Sequence, residues 1–241
     1  MVISRTHHIS QQFDRELEDI RSKVLAMGGL VEDQLTRLLD ALSKRDLESA
    51  EQIAANDVKV NEMEKEIDRE CSGILLRRQP AASDLRLVLA IGKIITDLER
   101  VGDEVKKVAR IIMNISITAP HRIHYVGVLA MGYHVRRMLR AALDAFARMD
   151  SHAALAAALE DPEVDKELES VMRQLITYMM EDPRNIREVL DAVLAARAFE
   201  RIGDHADNIC ESAIFLVEGK DVRHVPMEDV RLSLDARHRE D

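Results

Sequence analysis

The sequence is poor in aromatic residues and contains no tryptophan. Phe, Tyr and Trp make up only 3% of its 241 residues, so Leu, Ala, Ile, Val and Met must fill any hydrophobic core. These residues, together with the abundant Glu, Arg and Lys, are mostly helix formers. No segment alternates between apolar and polar residues over the length of a strand. These absences predict an all-α protein.

Other missing features disfavour further classes of protein. Cys71 and Cys210 are isolated and lack metal-type spacing, which predicts two reduced, buried thiols. No stretch reaches the roughly 18 apolar residues of a membrane span, because Lys93 interrupts the most apolar segment, and the N-terminus has no apolar signal region. The net charge of −10 argues against non-specific nucleic-acid binding. We therefore expect a cytoplasmic protein with no nucleic-acid partner and no direct membrane insertion.

Apolar residues recur at spacings of three and four along six segments, which is the period of an amphipathic helix. Proline and capping residues separate these segments. Pro162 lies inside the fifth segment and predicts a kink or a division there. Gly219 is expected to end the sixth. The predicted helices are residues 11–44, 47–78, 84–114, 122–149, 151–180 and 185–218.

Short connections make sequential helices antiparallel neighbours. Each half of the chain contains three predicted helices, so we predict two tandem antiparallel three-helix bundles: six long helices with internal duplication. The first bundle is assigned to residues 1–117 and the second to residues 118–219, joined at about 115–122. Residues 1–10 are predicted to be a ragged lead-in, and residues 220–241 a loosely packed, charged tail.

A five-residue string occurs twice and is the strongest sign of duplication. Glu-Arg-Val-Gly-Asp begins at Glu99, and Glu-Arg-Ile-Gly-Asp begins at Glu200. On a helix, the first and last residues of each string lie one turn apart on the same face. The glycine between them costs roughly 1 kcal/mol relative to alanine. We therefore expect a neighbouring element to approach the helix closely at that glycine.

The repeated acids are candidate metal ligands, because facing helices of a bundle can direct carboxylates at one ion. Oxygen ligands favour iron(III), manganese, magnesium or calcium. The candidate ligands are Glu99, Asp103, Glu200, Asp204, Asp207 and Asn208. Their candidate partners on neighbouring helices are Asp57, Asn61 and Glu62 in the first half and Asp161, Asp165 and Glu169 in the second.

The same spacing also fits two arrangements without a metal ion. In the first, Arg100 and Arg201 pair with the acids and fasten one helix to another; in the second, the acids belong to a solvated helix face. The spacing alone does not distinguish either arrangement from a metal site.

The chain resembles the PhoU family of bacterial phosphate-transport accessory proteins. The resemblance covers about residues 10–218 and rests on three segments: Asp84-Leu-Arg86, the string from Asp97 to Asp103, and the string from Phe199 to Ile209. It implies a fold of two three-helix bundles and no enzymatic activity. It also implies metal binding through the Glu-x-x-x-Asp motifs, with iron or another divalent or trivalent ion such as Zn, Mn or Mg.

The resemblance further implies a regulatory role. The expected partners are the ATPase subunit of a phosphate ABC transporter and the sensor histidine kinase of the phosphate response, which is kept off when phosphate is abundant. Such a protein would be cytoplasmic and would reach the inner face of the membrane through its partners. Long bundles with exposed apolar stripes often pair, so we also predict a homodimer. The alternatives are a metal-buffering bundle without a signalling role and a purely structural helical module.

The first string departs from the family pattern after its last acid. Asn208 and Glu211 match the family's continuation, whereas Lys107 and Arg110 occupy the corresponding positions of the first copy. Cations close to the acids would oppose a bound metal ion. We therefore predict two unequal metal sites, of which the second is the stronger.

Overall fold

The computed structural model describes residues 3–80, 82–114 and 125–237. Within these ranges the chain forms eight α-helices and no strand, which confirms the all-α prediction. A short 3₁₀ turn, Pro183–Asn185, precedes the seventh helix. The predicted junction of the halves and the predicted start of the fourth helix lie outside the described residues. The helices are α1 (Ile3–Lys44), α2 (Leu47–Arg78), α3 (Ala82–Asn114), α4 (Val126–Arg148), α5 (Ser151–Ala158), α6 (Asp161–Glu181), α7 (Ile186–Glu218) and α8 (Met227–Arg237).

Helices α1, α2 and α3 pack on one another, and α7 packs on α4, α5 and α6. The helices bury most of the apolar residues that the spacing predicted; on α1 these include Ile20, Val24, Met27 and Val31, all at most 1% exposed. Leu190 and Leu194, which the spacing placed on the inward face of α7, are instead more than half exposed. The halves also contact each other extensively through α3 with α7 and through α1 with α4. One continuous core therefore includes residues of both halves.

Helices α3 and α7 lie antiparallel along the contact between the halves. His205 of α7 bonds to Asp97 of α3 at 3.0 Å. Arg201, one turn earlier on α7, lies 3.5 Å from Glu104, which comes later on α3. This opposite order brings the two copies of the repeated string side by side, and both acidic motifs lie near the middle of the molecule.

The turns after α1 and α4 have the same construction. Asp46 caps α2 by accepting a hydrogen bond from the backbone N–H of Ser49 at 3.1 Å. Asp150 caps α5 by accepting one from the N–H of Ala153 at 2.9 Å. Such caps satisfy backbone N–H groups that have no partner within the helix.

The fifth predicted helix is divided into α5 and α6. The break falls at Leu159 and Glu160, because Pro162 has no N–H to donate to the carbonyl four residues earlier and its ring crowds that carbonyl. The N-cap of α6 is Glu160, and Asp161 is its first helical residue.

Two predictions about the ends of the chain were wrong. Residues 3–10 are not a ragged lead-in, because they belong to α1. Gly219 ends α7 in the left-handed conformation with φ of 70°, as predicted. The segment after it, however, is packed: Val222, Val230 and Leu234 are buried, and the last two lie on α8.

Across the described residues, none of the helices is long and apolar enough to cross a bilayer.

Candidate metal-binding clusters

The glycine of each string faces an aspartate on a neighbouring helix. A Cβ atom built on Gly102 would lie 3.6 Å from Asp57 Oδ1, and one built on Gly203 would lie 3.7 Å from Asp161 Oδ1. Both are ordinary van der Waals distances, so alanine would fit at either position. Neighbouring helices therefore contact each string at its glycine, but this packing does not require glycine, contrary to the prediction. Asp57 on α2 and Asp161 on α6 occupy equivalent positions in the two halves.

The first acidic cluster lies between α2 and α3. We define it by five residues: Asp57, Asn61, Glu64, Glu99 and Asp103. Burial raises the pKa of Glu99, and the negative charges of Asp103, Glu64 and Asp57 raise it further. Four carboxyl groups of this cluster therefore lie close enough to affect one another's ionisation.

Lys106 is the internal cation of the first acidic cluster. Its Nζ donates to Asp57 Oδ2 at 2.5 Å and lies 4.0 Å from Asp103 Oδ1. The Asp57 side chain is only 3% exposed, so this pair is largely removed from water. The ammonium group occupies part of the space in which a metal ion would contact the same carboxylates.

The second acidic cluster lies between α6 and α7. We define it by five aspartate and glutamate residues: Asp161, Asp165, Glu200, Asp204 and Asp207. Burial raises the pKa of Glu200, Asp204 and Asp161, and the neighbouring carboxylates of the cluster add to each shift. In the described part of the chain, no lysine or arginine is hydrogen-bonded to any of its four aspartates.

Asp207 is the most perturbed member of the second acidic cluster. Burial, followed by the charges of Asp161, Glu211 and Asp204, raises the pKa of Asp207 to about 7. Its Oδ1 atom is buried without a hydrogen-bond partner, which is costly for a polar atom. Asp207 occupies the position of the second string that Lys106 occupies in the first. The duplication has thus placed a carboxylate where the first cluster has a cation.

The donor set of the second cluster fits a hard metal ion, because it is all oxygen and includes this unpartnered buried atom. The side chains are not already arranged around one point. Across the described residues, no group of three or more His, Cys, Asp or Glu side chains has the geometry to hold a metal ion as it stands. Binding would require the carboxylates to rotate toward a common centre.

The structure separates Asn208 from the other five predicted ligands. Its side-chain amide donates to Asp97 Oδ1 on α3 at 3.2 Å, in the contact between the halves rather than between α6 and α7. Glu62 is exposed, and Glu64 faces Glu99 in its place. Glu169 is also exposed and lies 3.6 Å from Arg173 on its own helix. The seven-residue spacing from Asp57 to Glu64 was the sequence signal for that face.

The reason given for two unequal sites needs correction. Lys107 donates to Glu104 at 2.6 Å, and Arg110 lines a groove toward α7. Neither cation bonds to the acids of the first string, whereas Lys106 does contact the first cluster. Arg201 does fasten one helix to another, as the salt-bridge alternative expected, but its partner at 3.5 Å is Glu104 of α3, which is not one of the repeated acids.

The fold and these clusters define a class: an internally duplicated helical-bundle protein with one carboxylate cluster in each half. The family model described as the PhoU domain matches residues 24–112 and again 128–213. The chain belongs to the PhoU family. Both matches include one copy of the repeated string, so each copy of the domain contributes one acidic cluster.

Relatives match over nearly the whole chain. The phosphate-specific transport system accessory protein PhoU homolog of Pseudomonas aeruginosa is 53% identical over 222 residues, 92% of both proteins. The PhoU accessory protein of Escherichia coli K12 is 47% identical over 218 residues, 90% of each.

Solved structures confirm the arrangement of the helices. The crystal structure of PhoU from Pseudomonas aeruginosa superposes with a TM-score of 0.83 at 50% identity and covers 86% of this chain and 100% of that one. The phosphate transport system regulatory protein PhoU from Streptococcus pneumoniae superposes with a TM-score of 0.81 at 28% identity, covering 87% of this chain and 99% of that one.

Proposed function

We propose that this protein is an accessory regulator of phosphate uptake. It couples the ATPase subunit of a phosphate ABC transporter to a sensor histidine kinase and represses the phosphate-starvation response when phosphate is abundant. The observation that carries the proposal is the match, along nine-tenths of the chain, to relatives named as accessory proteins of the phosphate-specific transport system. In this proposal the protein is cytoplasmic, non-catalytic and homodimeric, and it reaches the membrane through its partners.

Deletion of the gene tests the regulatory role. The proposal predicts that phosphate-starvation genes are expressed in phosphate-rich medium and are repressed again when the full chain is restored. A changed metal content without this induction would instead favour the metal-buffering alternative. If neither changes, the protein acts only as a structural module.

We also propose that the second acidic cluster holds a metal ion. Asp161 and Asp165 would bind it from α6, and Glu200, Asp204 and Asp207 from α7. The support is the buried, unpartnered Oδ1 of Asp207, whose ionisation is disfavoured by the nearby carboxylates of Asp161, Glu211 and Asp204. The ion would neutralise these mutually repelling charges and fasten α6 to α7. Iron and manganese fit the oxygen donors best, and magnesium and zinc are the other candidates.

The first acidic cluster is proposed as a weaker site built on Glu99 and Asp103. Lys106 already neutralises part of its charge, so a cation entering there must displace an existing ion pair. Asn208 is left out of both sites because its amide is engaged with Asp97.

Elemental analysis of tag-free protein purified without chelator tests both sites. The matched variant replaces all four motif acids (Glu99→Gln, Asp103→Asn, Glu200→Gln and Asp204→Asn) and must retain the helicity of the parent. We expect bound metal in the parent and none in the variant. Separate titrations of Asp103→Asn and Asp204→Asn should show the larger loss of affinity for Asp204→Asn. Equal losses would contradict the ranking of the sites.

A further inference from the structure

A groove lined by four cations lies between α3 and α7. It has a volume of about 590 Å³. Its lining also includes the apolar residues Ile111, Leu194 and Ala198. We call it the basic groove, and its four cations are Lys107 and Arg110 from α3 and Arg197 and Arg201 from α7.

The duplication supplies a second groove for comparison. It has a volume of about 510 Å³ and is formed by the corresponding positions of the same two helices. Three of the four cationic positions differ there: Asn208 replaces Lys107, Glu211 replaces Arg110 and Thr96 replaces Arg197. Only Arg100 keeps the charge of its counterpart, Arg201. The two grooves have similar volumes. The basic groove is lined by four cations and three acids, Glu104, Glu200 and Asp204, and the second groove by three cations and two acids.

The protein itself neutralises these cations only in part. A single oxygen, Glu104 Oε1, lies 2.6 Å from Lys107 Nζ and 3.5 Å from Arg201. Arg197 lies 3.8 Å from Glu200, a long separation for an exposed ion pair. Of the residues that the structure describes, none is hydrogen-bonded to the Arg110 side chain or forms an ion pair with it.

Two of the three cations of the second groove, Lys93 and Arg223, have partners within the protein. Lys93 lies over the ring of Phe215 at 5.0 Å. Arg223 forms a two-point contact with Asp221. The two grooves therefore differ in the number of cationic side chains. They also differ in how many of those side chains have N–H groups that are not bonded within the protein.

We propose that the basic groove binds a phosphoryl oxyanion, either inorganic phosphate or the phosphate chain of a nucleotide. Arginine presents a planar fork of donors that matches two oxygens of a phosphate, and the basic groove has three arginines. This inference goes beyond the proposed function, because neither the regulatory role nor the metal site requires an anion at this position. It also explains Lys107 and Arg110, the two departures of the first string from the family pattern.

Isothermal titration calorimetry of the full chain with sodium phosphate and with ATP tests the proposal, in chelator and against sodium chloride of equal ionic strength. We expect saturable binding, weakened roughly tenfold or more by Arg110→Gln and further by Arg197→Gln combined with Arg201→Gln. These side chains lie at the surface, and circular dichroism should show unchanged folding. The tighter of the two ligands identifies the source of the phosphoryl group.

The matched control is Arg100→Gln, which removes the counterpart of Arg201 from the second groove and should leave binding unchanged. The proposal is overturned if neither ligand binds at millimolar concentration, if Arg100→Gln weakens binding as much as the other variants, or if the variants of the basic groove bind like the parent. Binding that depends on added metal would also overturn it, because the anion would then belong to the second acidic cluster.

Discussion

Asp207 is a carboxylate whose charge the fold disfavours. The pKa of Asp207 rises from 3.8 to about 7 because of burial and neighbouring acids. The folded state therefore binds more protons than the unfolded state between these values, and stability falls as pH rises through that window. Asp207→Asn removes this effect. In chelator, the variant should be about as stable as the parent near pH 4 and more stable by roughly 2–4 kcal/mol at pH 8.

Urea unfolding at several pH values between 4 and 8 measures this difference. Asp144→Asn, at an exposed position on α4, is the control for removing a carboxylate from the protein surface. A gain for Asp207→Asn that does not grow with pH would show that the ionisation of Asp207 does not govern it.

In the first acidic cluster, Lys106 is expected to stabilise the fold, because it neutralises a buried carboxylate. Lys106→Met leaves Asp57 buried without its 2.5 Å partner, and an uncompensated buried charge is strongly destabilising. We expect a loss of roughly 2–4 kcal/mol in the free energy of unfolding at pH 7, at the lower end of the range for buried pairs because Lys106 is partly exposed. Lys44→Met should cost little, since both members of the Lys44–Asp40 pair are more than 60% exposed. Equal costs for the two variants would contradict the importance of burial.

The sequence predicted which acids share a helix face, but it did not predict which side chains on other helices contact them. The repeated spacing identified Glu99, Asp103, Glu200 and Asp204 because helix geometry fixes positions one turn apart. It did not identify Lys106 as the cation of the first cluster or Asp97 as the partner of Asn208. Both depend on the rotation of one helix against another, which local periodicity does not determine.

At Gly132, α4 packs closely against α1 and α7. A Cβ atom there would lie 3.1 Å from Phe199 Cζ and closer still to Leu39 on α1, and both side chains are fully buried. Gly132→Ala should therefore force a rearrangement that costs about 1–3 kcal/mol. Gly29→Ala is the control, because a Cβ atom at that position would meet nothing within 4 Å. This substitution should stabilise α1 by up to about 1 kcal/mol, because alanine favours a helix more than glycine does. Thermal unfolding that ranks the two variants in the reverse order would contradict this packing.

The ends of helices were predictable where a single residue caps or interrupts the neighbouring backbone. Gly219 ends α7 as predicted, and Asp46 and Asp150 begin α2 and α5, because a capping residue acts on the backbone next to it. Pro162 likewise indicated the division of the fifth helix. Helix α8 was missed because its apolar residues Val230 and Leu234 form too short a stripe to stand out, and they are buried only because the rest of the fold covers them.

Many contacts join the first repeat to the second and stabilise the molecule as a whole. Arg45, in the turn between α1 and α2, pairs with Glu188 at the start of α7 at 2.8 Å, and both side chains are less than 20% exposed. Helices α3 and α7 share a long antiparallel interface, and α1 packs on α4. Removing one half would expose the apolar faces of the other, so the two repeats should not be independent folding units.

Native-state thiol labelling tests this cooperativity, because each half contains one buried free cysteine: Cys71 on α2 and Cys210 on α7. Burial raises the pKa of both thiols, that of Cys71 to about 11, so labelling should require unfolding. We expect Cys71 in a Cys210→Ala variant and Cys210 in a Cys71→Ala variant to become reactive at the urea midpoint of each variant's own circular dichroism transition. Comparison with that transition corrects for the stability change of each substitution. If one thiol reacts well before the helices of its own variant unfold, the halves open separately and the shared core does not bind them into one unit.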